Sequence, residues 1–195
     1  MAYISTIDEH EAEGAVQEAY ASWRERKGEV SELAKVWSIR PEMVPVHKSL
    51  AEKVTGGGSS LGRRKEELIA VVCSAAQACA LCTLAHGEAL REQLGGSPDL
   101  ALRVRYDFRN AGLPDDEVAM LEYAETLTLA PSTINEGHVE RLREVGFSDR
   151  EIYDIALVTS FRNFISRFYL GLGVENHPRF DTLDPTYREH WTTFT

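Results

Sequence analysis

The chain has 195 residues, a formal net charge of −10 at pH 7 and a sequence pI of about 5.1. This length fits one domain, or a compact pair of helical halves, and the hydrophobic content of 43% is ordinary for a globular protein. The acidic balance argues against nucleic acids and anionic membranes as partners.

The amino-terminal segment is acidic, whereas a secretory signal needs a basic region followed by an apolar one. The longest apolar stretch, near Leu68–Cys82, is too short and too interrupted to span a bilayer. We therefore expect a cytoplasmic protein. In that compartment a C-x-x-C pair is more often catalytic or metal-binding than a structural disulfide.

Apolar residues recur at helical spacing along most of the chain, and no segment has a convincing strand pattern. Asp8 is the predicted N-cap of the first helix, and Pro41 is placed to begin the third. The motif S-D-R-E at Ser148–Glu151 predicts a capping box. The sequence therefore predicts an all-α fold, with helices at about 8–27, 30–37, 41–54, 63–77, 79–94, 97–110, 115–130, 135–145 and 148–172.

Three other features are interpreted as scaffold. Gly56–Ser60 is a low-complexity G-G-G-S-S patch, expected to be a flexible connection, a lid or an oligomer contact, and it lacks the G-K-[ST] ending of a phosphate loop. His47 lies on or beside the apolar face of the third helix, where a hydrogen-bonded structural role is the simpler interpretation. After Gly173 the chain is rich in proline and aromatic residues, which predicts an extended tail, 174–195, packed on the body or on a neighbouring subunit.

The segment between Glu67 and His86 contains all three cysteines. Cys79 and Cys82 form a C-x-x-C pair, and on a helix these positions share one face with His86. A helix N-terminus and a nearby imidazole both lower a thiol pKa, so this stripe predicts a reactive dithiol. Cys73 lies inside the apolar run and is predicted to be a core residue.

Glu67 precedes Cys79 by twelve residues and begins the apolar run. If the chain bends near Gln77–Cys79, the two helices pack as a hairpin, and Glu67 can reach His86 and orient its imidazole. The neighbouring Glu66 is interpreted as a solvated carboxylate in the first helical turn. Glu67 has the same simple interpretation available, and only its twelve-residue spacing from Cys79 distinguishes it from Glu66.

The pattern E-x11-C-x2-C-x3-H resembles the signature of the AhpD-like, or alkylhydroperoxidase, branch of the carboxymuconolactone decarboxylase superfamily. The matching residues are Glu67, Cys79, Cys82 and His86. The resemblance extends over about 61–175 and includes F-R-N-F-I-S-R-F-Y-L-G-L-G-V-E, which is similar to the closing helix of the peroxidase-related subgroup. One departure is the interval Ala80–Leu81, where some AhpD-type enzymes carry a second histidine.

The resemblance implies a single AhpD-like helical domain over 1–195, with its core motif at 61–95, assembled into dimers, trimers or hexamers. It implies that Cys82 attacks a hydroperoxide, that Cys79 resolves the sulfenic acid as a disulfide, and that Glu67 and His86 relay the proton. An external dithiol then reduces the pair, and no flavin, haem or metal is needed.

Three other interpretations stay open. A decarboxylase-like enzyme is one, although such relatives generally lack the C-x-x-C pair. A non-catalytic redox sensor or oligomeric binding module is the second. The third is a zinc site built from C-x2-C-x3-H with Glu67 as a fourth ligand, although the chain has no second C-x-x-C.

Overall fold

The computed structural model describes residues 2–95 and 98–194. Every regular element in these ranges is helical, so the all-α prediction is confirmed. None of the helices described combines the length and the apolar character needed to cross a bilayer. The α-helices are α1 (Gly14–Lys27), α2 (Glu32–Ser38), α3 (Met43–Val54), α4 (Gly62–Ala76), α5 (Ala80–Gln93), α6 (Pro98–Asp107), α7 (Asp115–Leu129), α8 (Glu136–Glu144), α9 (Asp149–Leu172) and α10 (Pro185–Thr192).

Helix α4 lies at the centre of the bundle and packs against α5, α7 and α9. Its residues from Glu66 to Ser74 are all buried. A helix that is buried on every side forms a core element, because it leaves no face for solvent. Helix α3 packs on α9 and helix α10 packs on α5, so the α4–α5 hairpin is covered from several directions.

Helix boundaries follow the predicted local signals where these are strong. The Ser148 hydroxyl accepts from Glu151 N, and the Glu151 carboxylate accepts from Ser148 N, which is the predicted capping box at the start of α9. Gly28 ends α1 in the left-handed conformation. The predicted cap at Ser97 and helix end at Gly96 lie outside the described residues.

Two predicted helix starts are wrong. Helix α1 begins at Gly14 rather than beside Asp8, and a short 3-10 turn occupies Glu9–Glu11. Glu13 is extended and Gly14 has a φ of +53°, so the backbone leaves helical geometry between the two elements. Helix α3 begins at Met43, two residues after the predicted start at Pro41.

The tail is not extended as predicted, because it forms a 3-10 turn and helix α10. It does pack on the body. Trp191 is fully buried, and a Cβ atom built on Gly87 would lie 2.5 Å from its ring. Tyr187 donates a 2.7 Å hydrogen bond to Glu88. Apolar burial and a polar contact thus fix α10 on the back of α5.

The prediction that Glu66 is solvated is also wrong. Glu66 is fully buried, and its carboxylate accepts from Gly57 N at 2.6 Å, Ser59 N at 3.0 Å and Ser59 Oγ at 2.7 Å. Asp154 on α9 accepts from Ser60 N and Ser60 Oγ at 2.8 and 2.6 Å. Two buried carboxylates therefore hold the Gly56–Ser60 patch, which the sequence had indicated to be flexible.

Candidate active site

The bend between α4 and α5 places the C-x-x-C pair at a helix start. Ala78 has a φ of +53°, which is a left-handed conformation that costs a residue with a Cβ atom about 1 kcal/mol or more. Cys79 follows as the N-cap of α5, and its amide donates to Ser74 O at 3.0 Å. Gln77 donates to Cys73 O at 3.0 Å and to Asn163 at 2.9 Å, which ties the bend to α9.

The two thiols of the pair are buried, and their pKa values are shifted in opposite directions. Cys79 is 1% exposed and Cys82 is 5% exposed. The Cys82 thiol and the Cys82 backbone N–H both donate to the Cys79 sulfur and lower the pKa of Cys79 to about 7 against the opposing effect of burial. The same contact, with burial, raises the pKa of Cys82. Cys79 is therefore the thiol of the pair that loses its proton first.

Glu67 reaches His86, which the spacing had left undecided. The Glu67 Oε2 atom lies 2.8 Å from His86 Nδ1, and Arg162 Nη1 on α9 lies 2.9 Å from His86 Nε2. A guanidinium group has no acceptor, so Arg162 must donate to Nε2 and His86 must carry its hydrogen on Nδ1. The contacts thus fix a neutral imidazole that donates to the carboxylate.

The charges around His86 support this tautomer. Burial and the Arg162 charge lower the pKa of His86 more than Glu67 raises it. Burial raises the pKa of Glu67, but the hydrogen bond with His86 and the charges of Arg162 and Arg63 lower it further, so the carboxylate is ionised. Both ring nitrogens of His86 are occupied, and neither bonds to Cys82. The proton relay from Cys82 to His86 stays a prediction.

Cys82 opens onto a cavity of about 250 Å³, and Cys79 is not among the residues that line it. The walls are mainly apolar and aromatic, and the polar residues among them include His86, Arg162, Glu29 and Arg179. The aromatic part of the wall includes Trp23, His47, Phe161, Tyr169 and Phe180. Such a cavity fits a small, largely apolar molecule beside a thiol.

The structure brings all four predicted site residues to this hairpin and adds residues that the sequence did not reveal. Arg162 is 9% exposed and is separated from its partner His86 by 76 positions in the sequence, so no local motif predicts their contact. His47 stacks on Trp37 with ring centroids 4.2 Å apart and lines the cavity, which places it in the site. Cys73 is fully buried in the core, as predicted, and burial raises its pKa to about 11.

The zinc interpretation finds no geometric support. Within residues 2–95 and 98–194, no three His, Cys, Asp or Glu side chains gather into a group that could hold a metal ion. Glu67 and His86 bond to each other instead of converging on the two sulfurs.

Comparison with protein-family models gives no match for this chain, and comparison with curated proteins gives none either. Solved structures do match. An uncharacterized peroxidase-related protein from Silicibacter sp. TM1040 is 30% identical, with a TM-score of 0.79 over 91% of this chain and 94% of that one.

Two more distant structures support the same fold. An uncharacterized peroxidase-related protein from Ralstonia eutropha JMP134, described as an alkylhydroperoxidase AhpD core, is 23% identical with a TM-score of 0.79, and the match covers 98% of this chain and 97% of that one. The debrominase Bmp8 is 13% identical with a TM-score of 0.74, covering 96% and 97%. At these identities the likeness shows the fold alone.

Proposed function

This chain belongs to the AhpD-like family, and from that premise we propose that it is a thiol-dependent peroxidase that reduces an organic hydroperoxide. One observation supports the proposal most strongly. Cys82 lines an aromatic-walled cavity and contacts a partner thiol, Cys79, whose pKa is lowered to about 7. A dithiol beside a small apolar cavity has the parts needed for oxidation by a peroxide that the cavity can hold.

Cys82 is the proposed nucleophile because it lines the cavity, whereas Cys79 does not. Its proton passes to the Cys79 thiolate, which already accepts the hydrogen bond from Cys82. The Cys82 thiolate attacks the terminal peroxide oxygen, the O–O bond breaks, and Cys82 becomes a sulfenic acid. A relay through Glu67 and His86 requires Arg162 to release His86 Nε2 first.

Cys79 then attacks the sulfenic sulfur, water leaves, and a Cys79–Cys82 disulfide forms. An external dithiol must reduce this disulfide to close the cycle. The fully buried Cys73 lies outside the pair and takes no part.

Intact mass and free-thiol counts after one equivalent of cumene hydroperoxide test the proposal. We expect the wild type to lose two thiols and two hydrogens, mapped to Cys79–Cys82. Cys79→Ser should stop at the Cys82 sulfenic acid and should form it more slowly than wild type, because Cys82 loses the thiolate that accepts its proton. Cys82→Ser should not turn over, and Cys73→Ala serves as the matched control that keeps the full reaction.

The alternatives give different results in the same samples. Activity on a carboxylate substrate that survives alkylation of both thiols would support the decarboxylase-like interpretation. A reversible disulfide without catalytic turnover in the presence of a dithiol reductant would support a redox sensor. Full peroxide turnover by Cys82→Ser would refute the role given to that thiol.

A second candidate is reductive removal of a halogen from an aromatic ring. The aromatic wall of the cavity favours it, and the debrominase with the same fold has been solved in complex with 2,3,4-tribromopyrrole. Two thiols can supply the two electrons, giving a disulfide, halide and the dehalogenated ring. Bromide release from a brominated pyrrole, measured beside peroxide consumption, separates the two candidates.

A further inference from the structure

Tyr169 on α9 lines the cavity and has a hydroxyl group whose hydrogen has no acceptor among the described residues. Tyr169 is 5% exposed and lines the cavity with Cys82. Its oxygen accepts a 2.9 Å hydrogen bond from Trp37 Nε1. No group in the described part of the chain accepts from its O–H, although a buried tyrosine hydroxyl usually has a partner for its proton.

Trp37, which donates to this hydroxyl, is itself held in place by packing. Trp37 stacks on His47 at 4.2 Å and packs against Phe168 at 4.7 Å between ring centroids. Because the indole N–H occupies one lone pair of the phenol oxygen, the phenol hydrogen must point away from Trp37. Burial raises the pKa of Tyr169 above its usual range, so the group stays protonated at neutral pH.

Arg162 adds a positive charge to the same wall. Its Nη1 donates to His86, and Nε has no acceptor among the residues of the two described ranges. The side chain is nine-tenths buried and lines the cavity with Cys82 and Tyr169. A buried cation beside a proton donor stabilises oxygen that becomes negative during a reaction.

We propose that Tyr169, supported by the charge of Arg162, protonates the leaving oxygen when Cys82 cleaves an alkyl or aryl hydroperoxide. This inference rests on the proposed peroxidase function and assigns to that reaction a residue outside the dithiol and the Glu67–His86 pair. Trp37 is a positioning residue, because it acts only by orienting the phenol.

The step balances in atoms and electrons. The Cys82 thiolate forms an S–O bond with the terminal oxygen of R–O–O–H, the O–O bond breaks, and the electron pair leaves on R–O⁻. Tyr169 gives its proton to this alkoxide and releases R–OH. An alkoxide is a much stronger base than a phenolate, so the transfer is favourable even from a phenol with a raised pKa. Water returns the proton to Tyr169 before the next turnover.

The leaving group provides the test. Cumene and tert-butyl hydroperoxide release an alkoxide, which needs a proton, whereas peroxyacetic acid releases a carboxylate, which does not. We would measure the second-order rate constant of thiol oxidation for each peroxide in wild type, Tyr169→Phe and Trp37→Phe. Tyr153→Phe is the matched control, since Tyr153 lies on the same helix and is 65% exposed.

We expect Tyr169→Phe to lower the rate constant of thiol oxidation by both alkyl hydroperoxides on the order of 100-fold, which is the lower end of what a positioned proton donor contributes. The rate constant with peroxyacetic acid should fall by less than about 3-fold. Trp37→Phe keeps the phenol and should give the same leaving-group pattern at smaller amplitude, which preserves the test if Tyr169→Phe loses stability. Tyr153→Phe should match wild type with every peroxide.

Two results would overturn the inference in distinguishable ways. An equal loss for alkyl hydroperoxides and peroxyacetic acid would show that Tyr169 only maintains the shape of the cavity. A wild-type protein that none of these peroxides oxidises would overturn the proposed function, and the inference with it.

Discussion

Gly87→Ala should loosen the carboxy-terminal helix from the active-site helix. A Cβ atom at this position would lie 2.5 Å from two carbons of the Trp191 ring and 2.7 Å from a third. Carbon atoms pack best at about 3.5–4.0 Å, so the indole must retreat by roughly 1 Å from a site where it is fully buried.

The expected magnitude is a balance of two effects. Overpacking a buried contact costs about 1–3 kcal/mol, while alanine gains up to about 1 kcal/mol over glycine within a helix. We expect a net loss of about 1–2 kcal/mol in the free energy of unfolding, and a drop in Tm of about 2–4 °C per kcal/mol for a chain of this size. Urea denaturation and limited proteolysis in the segment that precedes α10 would measure it.

Gly171→Ala is the matched control, because Gly171 also lies within a helix, α9, but nothing lies within 4 Å of a Cβ atom built there. That variant should be stabilised by up to about 1 kcal/mol. In a Trp191→Leu background, Gly87→Ala should cost much less, because the two sites are coupled by direct contact. If Gly87→Ala and Gly171→Ala have the same effect on stability, the packing argument is refuted.

Three further predictions concern the buried charges. Thiolate absorbance should titrate with a midpoint of about 7, and Cys82→Ala should move that midpoint upward because Cys79 loses its S–H donor. The folded-state pKa of His86 is lowered, so the unfolded chain binds more protons as pH falls below about 6.5. The free energy of unfolding should therefore decrease with acidification, less steeply in His86→Gln, as denaturation at several pH values would show. Glu66→Gln should lower the free energy of unfolding by about 1–3 kcal/mol and expose Gly56–Ser60 to proteases. The reason is that the NH2 group of the new amide would face backbone N–H donors that the carboxylate now accepts from.

Local signals in the sequence predicted most of the fold. Apolar spacing located the helices, and the Ser148 capping box fixed the start of α9. The prediction for the tail was wrong although Asp184 and Pro185 are a usable N-cap and first residue, and Asp184 does accept from Tyr187 N. The high content of proline and aromatic residues suggested an extended chain, but burial of Trp191 against α5 stabilises a helix of only eight residues.

The candidate site was predictable only as far as its residues are close in sequence. Helical spacing placed Cys79, Cys82 and His86 on one stripe. Arg162 was missed because its contact with His86 depends on how α9 packs against the hairpin. One sequence signal could have found Arg162. It lies seven positions before Tyr169, on the same face of α9, and a cation on a face that is otherwise buried needs a partner.

The environments of the two thiols argue for a division of roles that spacing could not supply. Cys79 has the lower pKa and does not line the cavity, whereas Cys82 lines the cavity and has a raised pKa. In the proposed reaction, transfer of one proton from Cys82 to Cys79 ionises Cys82 without an external base. The same proposal gives Glu67, His86 and Arg162 a different task. The neutral imidazole is held at both nitrogens and keeps the Arg162 cation at the cavity wall, where the proposed reaction develops negative charge on oxygen.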